Sequence, residues 1–131
     1  MAQTLLKKMH VKPGMRLLVL HAPQGIDREI NSQVEEVSVE TSPDGQYPAV
    51  LLFVSSLQDV ELYAPQALEA IAFDGLLWMA YPKGSSGVKT DINRDHGWDV
   101  VRSQGYETVS AISIDGTWSA LRFRPIKRVG K

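Results

Sequence analysis

Leu76-Leu77-Trp78-Met79-Ala80-Tyr81 is an almost wholly apolar run, so both alternating faces of the strand that it predicts must be covered. Two other stretches share the property: Arg16–Leu20 (Arg-Leu-Leu-Val-Leu) and residues 49–54 (Ala-Val-Leu-Leu-Phe-Val). Strands buried on both sides belong to parallel sheets, which need helical crossovers between them. Each run follows turn chemistry, namely Lys12-Pro13-Gly14, Asp44-Gly45-Gln46-Tyr47-Pro48 and Asp74-Gly75, because Pro and Gly stop whatever precedes them.

The connecting segments supply the helices. Ile26, Ile30 and Val34 recur at helical spacing, after which Val37 and Val39 alternate with polar residues as in a half-buried edge strand. Val60, Tyr63, Ala64, Ala67, Leu68 and Ile71 form one apolar helix stripe, which Pro65 is expected to break because it has no amide hydrogen. A helix over residues 91–104 carries Ile92, Trp98 and Val101, with Thr90 or Asp91 as N-cap and Gly105 as the left-handed C-terminal cap. The end of the chain reads as a hairpin, 107–114 and 117–124, joined by Asp115-Gly116 in a two-residue turn with positive φ. The order β-α-β-β-α-β-α-β-β predicts an α/β three-layer Rossmann-like sandwich, one domain over residues 1–131, with a mostly parallel sheet and a C-terminal antiparallel hairpin.

Composition narrows the function. The 131 residues carry 14 basic and 15 acidic side chains, a balance of 14 − 15 = −1, which disfavours nucleic acid or an anionic membrane as partner. Zero cysteines exclude thiolate metal sites, a cysteine nucleophile and disulfides, in keeping with a reducing cytoplasm. Leu5-Leu6 is too short for a signal core, and no apolar run approaches the ~20 residues that cross a bilayer. His10, His21 and His96 are scattered without metal-ligand spacing, so no metal is expected. The basic end from Arg122 to Lys131 reads as a solvated tail, since only Phe123 offers a ring for base stacking.

Lys12-Pro13-Gly14 before the first strand, the Asp74-Gly75-Leu76-Leu77-Trp78-Met79-Ala80 strand and the final hairpin resemble S-adenosylmethionine-dependent methyltransferases over most of the chain. Residues 81–91, then Arg94-Asp95-His96-Gly97-Trp98, then residues 115–125, look like a bacterial family catalogued as domain of unknown function 3052. The methyltransferase resemblance implies sheet order 2-1-3-4-6-5, the family's third strand being absent, with a crevice above strands 1 and 3. It also implies a cofactor loop after strand 1. Here that loop is His21-Ala22-Pro23-Gln24-Gly25, which keeps one glycine and places a proline where an amide donor belongs. Glu40, at the end of the second strand, stands where an acid would hold ribose hydroxyls. His21, Gly25 and Glu40 are therefore the cofactor-binding candidates of an atypical methyltransferase using S-adenosylmethionine.

The residues themselves point elsewhere first. Tyr81, Lys83, Gly84, Ser85, Ser86 and Gly87 leave a buried strand in a Gly/Ser/Lys loop whose amides, hydroxyls and ammonium suit an anion. Arg94 and His96 extend this candidate ligand site, helical spacing setting Asp91 beside Asp95 and Arg94 beside Trp98. Val88 between Gly87 and Lys89 departs from a phosphate-binding P-loop, and Gly84-Ser85-Ser86-Gly87 departs from a hydrolase nucleophile elbow. No residue is assigned a catalytic role. The expectation is a domain, without resident cofactor or autonomous catalysis, that binds a small anionic, nucleotide-like molecule or a protein partner, with homodimerisation through an edge strand as a further form of interaction.

Overall fold

The structure, a computed structural model, describes residues 8–12, 14–22, 38–42, 44–83, 87, 90–93 and 96–126. Its strands are β1 (Arg16–Leu20), β2 (Ser38–Glu40), β3 (Tyr47–Phe53), β4 (Ile71–Pro82), β5 (Tyr106–Ser113) and β6 (Trp118–Pro125). Helix α1 (Leu57–Ala70) joins β3 to β4, and the short α2 (Asp99–Ser103) precedes β5. The helix expected around Ile26, Ile30 and Val34 lies outside the described residues.

The six strands form one sheet in the order β2-β1-β3-β4-β6-β5, as the methyltransferase resemblance implied. The pairs β1–β2, β1–β3 and β3–β4 are parallel, whereas β6 runs antiparallel to both β4 and β5. The apolar runs are explained by burial on both faces. Leu18, Leu20, Val50, Leu52, Val54, Leu77 and Met79 face α1 and α2, while Leu17, Val19, Ala49, Leu51, Phe53, Trp78 and Ala80 face the opposite layer with Met9 and Val11. Each fully buried Val or Leu contributes about 1.5–3 kcal/mol, so this doubly covered strand set supplies much of the driving force for folding. Trp78 is wholly buried and its Nε1 donates to the Met9 carbonyl at 3.1 Å, which pins the N-terminal segment across the sheet.

Four local expectations need correction. Helix α1 is continuous through Pro65, because that proline sits on the exposed face, where water can satisfy the carbonyl its missing amide would have bonded. Strand β4 begins at Ile71 rather than Leu76: between Tyr47↔Ile71 and Ala49↔Leu76, 49 − 47 = 2 steps of β3 oppose 76 − 71 = 5 of β4. Asp74-Gly75 therefore lies where β4 bulges against β3, and a Cβ on Gly75 would stand 2.9 Å from both Ile71 Cδ1 and the Pro48 carbonyl.

The third correction concerns residues 90–98. Thr90 Oγ1 accepts from the Ile92 amide at 3.2 Å, the Asn93 amide donates to the His96 carbonyl at 3.1 Å, and the helix covers only Asp99–Ser103. The helix foreseen from residue 91 starts only at Asp99, Arg94 and Asp95 of the foreseen pairings lie outside the described residues, and Gly105 does end α2 with φ +89°. The fourth concerns the hairpin. Neither Asp115 nor Gly116 has positive φ. Instead Asp115 Oδ1 accepts from the Thr117 and Trp118 amides, both at 2.8 Å, so a side chain holds the bend that backbone handedness was expected to make.

Strand β5 lies at the sheet margin, and its edge is blunted. The Thr108 amide donates to Glu107 Oε1 at 2.9 Å, Lys8 Nζ donates to the Ser113 carbonyl at 3.1 Å, and the pairing with β6 shifts register between Thr108 and Ser110.

Candidate functional site

Parallel register brings the ends of three strands together. Leu20 pairs with Leu52, Phe53 with Ala80, and the Val54 amide donates to the Ala80 carbonyl at 2.9 Å. The turns leaving Leu20, Val54 and Tyr81 therefore open on one rim. The chain passes from β1 to β2 on one side and returns to β3 on the other, so this rim contains the switch point where α/β sheets form crevices.

His21 leaves β1 with φ +57°, a left-handed conformation that a non-glycine residue seldom adopts. Its ring stacks on Tyr63 of α1 with centroids 3.8 Å apart and planes 21° from parallel, and Nε2 lies 3.3 Å from Gln66 Oε1. The exposed histidine thus leans along the helix rather than across the rim.

The N-terminus of α1 is already capped. Ser56 Oγ accepts from the Asp59 amide at 3.1 Å, Asp59 Oδ2 accepts from the Ser55 amide and hydroxyl at 2.9 Å each, and Asp91 Oδ1 accepts from the Leu57 amide at 2.6 Å. Two carboxylates therefore complement the positive end of the helix dipole. The Ser-x-x-Asp spacing of Ser56 and Asp59 was readable from sequence, whereas the long-range cap by Asp91 was not.

The segment after β4 does two separate jobs. Tyr81 is 8% exposed and packs edge-on against Trp98, centroids 5.9 Å apart. Trp98 is fully buried, touches Phe123 as well, and donates Nε1 to the Asn93 carbonyl at 2.7 Å, which ties Asn93 to the core. Lys83 turns away from this cluster: its amide donates to the Thr117 carbonyl at 2.7 Å and its Nζ to Ser113 Oγ at 2.6 Å. Gly87, with φ +81°, and His96 are exposed. Gly84, Ser85, Ser86, Arg94 and the cofactor candidate Gly25 lie outside the described residues. Tyr81 and Trp98 are thus brought together, while Lys83 goes to the hairpin and His21 to α1.

Glu40 has a different neighbourhood again. Its Oε2 accepts from Arg16 Nε at 2.9 Å, and its Oε1 accepts from Arg16 Nη2 at 3.1 Å and from the Tyr47 hydroxyl at 2.9 Å. Arg16 opens β1 and Tyr47 opens β3, so this carboxylate reaches toward the strand starts. The Arg16 guanidinium also sits 4.3 Å from the Tyr47 ring centroid. Hydrogen bonding by Arg16 first and Tyr47 second holds the Glu40 carboxyl below its ordinary range. Burial, followed by the Glu40 bond, pushes the Tyr47 phenol up.

Two grooves flank α1. One of about 520 Å³ is lined by Gly45, Gln46, Gln66, Glu69 and Ala70, and one of about 360 Å³ by Pro65, Leu68, Glu69, Val100 and Gln104. Among the described residues, neither is lined by a candidate binding residue. Among the described residues no group of three or more His, Asp or Glu side chains could hold a metal ion, and no helix is long and apolar enough to cross a membrane.

No family model matches the sequence, and no curated protein does. Solved structures do match the fold. A ribosomal protein L11 methylase from Lactobacillus delbrueckii subsp. bulgaricus superimposes with TM-score 0.57 at 10% identity, covering 92% of this chain and 74% of that one. A putative type 11 methyltransferase from Sulfolobus solfataricus gives 0.52 at 8% identity over 92% and 89% of the two chains. A phosphoethanolamine N-methyltransferase 2 from Haemonchus contortus, in complex with phosphomonomethylethanolamine and S-adenosylhomocysteine, gives 0.53 at 9% identity over 87% and 34%. Sheet order, strand directions and these superpositions define a methyltransferase-like Rossmann fold. At such identities the likeness is one of fold alone.

Proposed function

We propose that this chain is a binding domain on a methyltransferase-like scaffold, which takes a small anionic, nucleotide-like molecule at the rim where β1, β3 and β4 end, without methyl transfer of its own. The observation that carries the reading is the convergence of the three parallel strand ends on one rim, where His21 holds a left-handed backbone. Strained residues of this kind concentrate at ligand sites.

The engagement of Glu40 favours binding over catalysis. A carboxylate that already accepts bonds from Arg16 and Tyr47 would have to give them up to take ribose hydroxyls. Adenosylmethionine is for that reason a poor fit to the described part of its expected site, and no reaction step is assigned to it. A small molecule is preferred to a protein partner because, among the described residues, the exposed large apolar ones lie on separate elements: Leu62 on α1, Phe73 on β4, Val109 on β5 and Ile126 beyond β6. Pairing of a second copy along β5 would have to displace the contacts that Glu107 and Lys8 make on that edge.

The alternative is an atypical S-adenosylmethionine-dependent methyltransferase using His21, Gly25 and Glu40; the adenosylhomocysteine complex of the Haemonchus structure favours testing it. The finer likeness of residues 81–98 and 115–125 to domain of unknown function 3052 belongs to the same set of proposals. Calorimetry with adenosine 5′-monophosphate, adenosine, adenosylmethionine and adenosylhomocysteine decides between them. The binding-domain reading expects the monophosphate to bind and His21→Ala to weaken it. Tight adenosylmethionine binding that Glu40→Ala abolishes would overturn it in favour of the methyltransferase.

A further inference from the structure

The sequence holds three Asp-Gly pairs, Asp44-Gly45, Asp74-Gly75 and Asp115-Gly116. An aspartate before glycine is a peptide link open to rearrangement, because no side chain on the following residue shields its amide nitrogen from the aspartyl carboxyl carbon. The fold treats the three pairs differently.

Asp115 is restrained. Its Oδ1 accepts from the Thr117 and Trp118 amides, both at 2.8 Å, and its own amide donates to the Trp118 carbonyl at 3.3 Å. The carboxyl must leave two amides before its carbon can turn onto Gly116. Gly75 is closed in. An added Cβ would meet Ile71 Cδ1 and the Pro48 carbonyl at 2.9 Å each and the Ala72 carbonyl at 3.1 Å, so the backbone has little room to pivot into a ring. Asp44-Gly45 has neither restraint. Both residues are exposed, and Gly45 has φ +81° with nothing within 4 Å of its added Cβ. Among the described residues the Asp44 carboxylate makes no hydrogen bond and acts on Arg16 through its charge alone.

We propose that Asp44-Gly45 is a site of spontaneous aspartate isomerisation, and that the isoaspartyl product unclips the loop between β2 and β3. The Gly45 amide nitrogen attacks Asp44 Cγ; the N–Cγ bond forms while the amide proton and a carboxyl hydroxyl leave together as water, closing a succinimide. Water then adds to the former main-chain carbonyl carbon and breaks its bond to nitrogen. Gly45 stays bonded through Cγ, its nitrogen takes back a proton, and the Asp44 main-chain carbonyl becomes a free carboxylate. Nothing is oxidised or reduced. The backbone is lengthened at the residue whose carbonyl accepts from Arg16 Nη2 at 3.1 Å and whose amide donates to the Tyr47 hydroxyl at 3.0 Å. The new carboxylate also competes with Glu40 for Arg16, which Glu40 holds at 2.9 and 3.1 Å. Arg16 and Tyr47 open their strands, so this chemistry needs no ligand at the rim.

The test incubates the whole chain, folded and unfolded in guanidinium, at mildly acidic pH in water labelled with heavy oxygen. Electron-transfer fragmentation of the digested protein locates isoaspartate and label. In the unfolded chain the three pairs should react at similar rates, each being the same dipeptide. In the folded chain Asp44 should react faster than Asp74 and about tenfold faster than Asp115, the factor for a carboxyl that need not break two amide bonds first. Asp44→Glu, whose longer side chain closes a ring less readily and whose main-chain bonds are the same, should stop labelling in this loop. Equal rates at the three pairs in the folded chain, or a slower rate at Asp44 than at either other pair, overturn the site. Aged protein should unfold at lower urea concentration than fresh protein, and aged Asp44→Glu should not. Isoaspartate formed at Asp44 with no such loss overturns the unclipping.

Discussion

Replacing Gly97 by alanine should be among the most damaging single-methyl additions in this protein, and the structure allows the loss to be separated into two parts. Gly97 has φ +107°, and a Cβ there would stand 2.4 Å from Ile92 Cγ2 and 3.0 Å from Ile92 Cβ. Carbon atoms rest about 3.5–4.0 Å apart, so Ile92 would have to retreat by about 1 Å. It has little room to do so, being 2% exposed in the same cluster as the wholly buried Trp98. Gly105 supplies the control, with φ +89° and no atom within 4 Å of its added Cβ. Backbone strain alone should cost Gly105→Ala about 1 kcal/mol, whereas strain and overpacking together should cost Gly97→Ala about 4 kcal/mol. For a chain of this size the melting temperature should fall by about 4 °C and about 15 °C respectively. Urea unfolding followed by tryptophan fluorescence measures both losses on one scale. If the two substitutions cost the same to within about 0.5 kcal/mol, the Ile92 clash does not exist.

The hairpin gives a sharper contrast, because its two residues reverse their expected roles: Gly116→Ala should leave stability within about 0.5 kcal/mol, while Asp115→Ala should cost about 1–2 kcal/mol by freeing two amides, both read by urea denaturation. Asp91→Ala should cost about 1 kcal/mol through loss of the Leu57 cap and should speed hydrogen exchange in the first turn of α1; unchanged exchange there would refute the cap. Glu40 titrates lower in the folded protein than in the unfolded chain, so its contribution is present above the ordinary carboxylate range and is lost as pH falls through the folded value. Stability measured by urea from pH 7 down to about 3 should therefore drop less steeply in Glu40→Gln. Tyr47 titrates higher when folded, so its contribution is present below about pH 10 and is lost as pH rises through the folded value; Tyr47→Phe should flatten that alkaline limb.

The sheet could be read from the chain because the physical requirement is local. A run such as Leu76–Tyr81 has no polar face to offer water, and covering both sides of several such strands leaves few architectures. Trp78 lies inside that run and is wholly buried. The strand order came from the methyltransferase resemblance. The three strand ends fell together as expected because parallel register carries Leu20, Val54 and Tyr81 to one rim.

Side-chain destinations were a different matter. Lys83 read as part of an anion-binding loop that enters a helix near residue 91, yet that helix starts only at Asp99, Asp91 caps α1 instead, and the ammonium donates to Ser113. Glu40 read as a ribose acid by position alone, and the structure binds it to Arg16 and Tyr47, 24 and 7 residues away. Asp115-Gly116 read as a turn of inverted backbone handedness, and a carboxylate-to-amide bend took its place.

Hydrophobic periodicity and turn residues are written along the chain, since each residue's burial depends on its own chemistry and that of near neighbours; they settled which segments form buried strands and which bound them. The partner of each charged group was decided only by the folded arrangement. A lysine or a carboxylate satisfies itself with whatever donor or acceptor the fold brings within about 3 Å, and for Lys83 and Asp91 those groups lie 30 and 34 residues away along the chain.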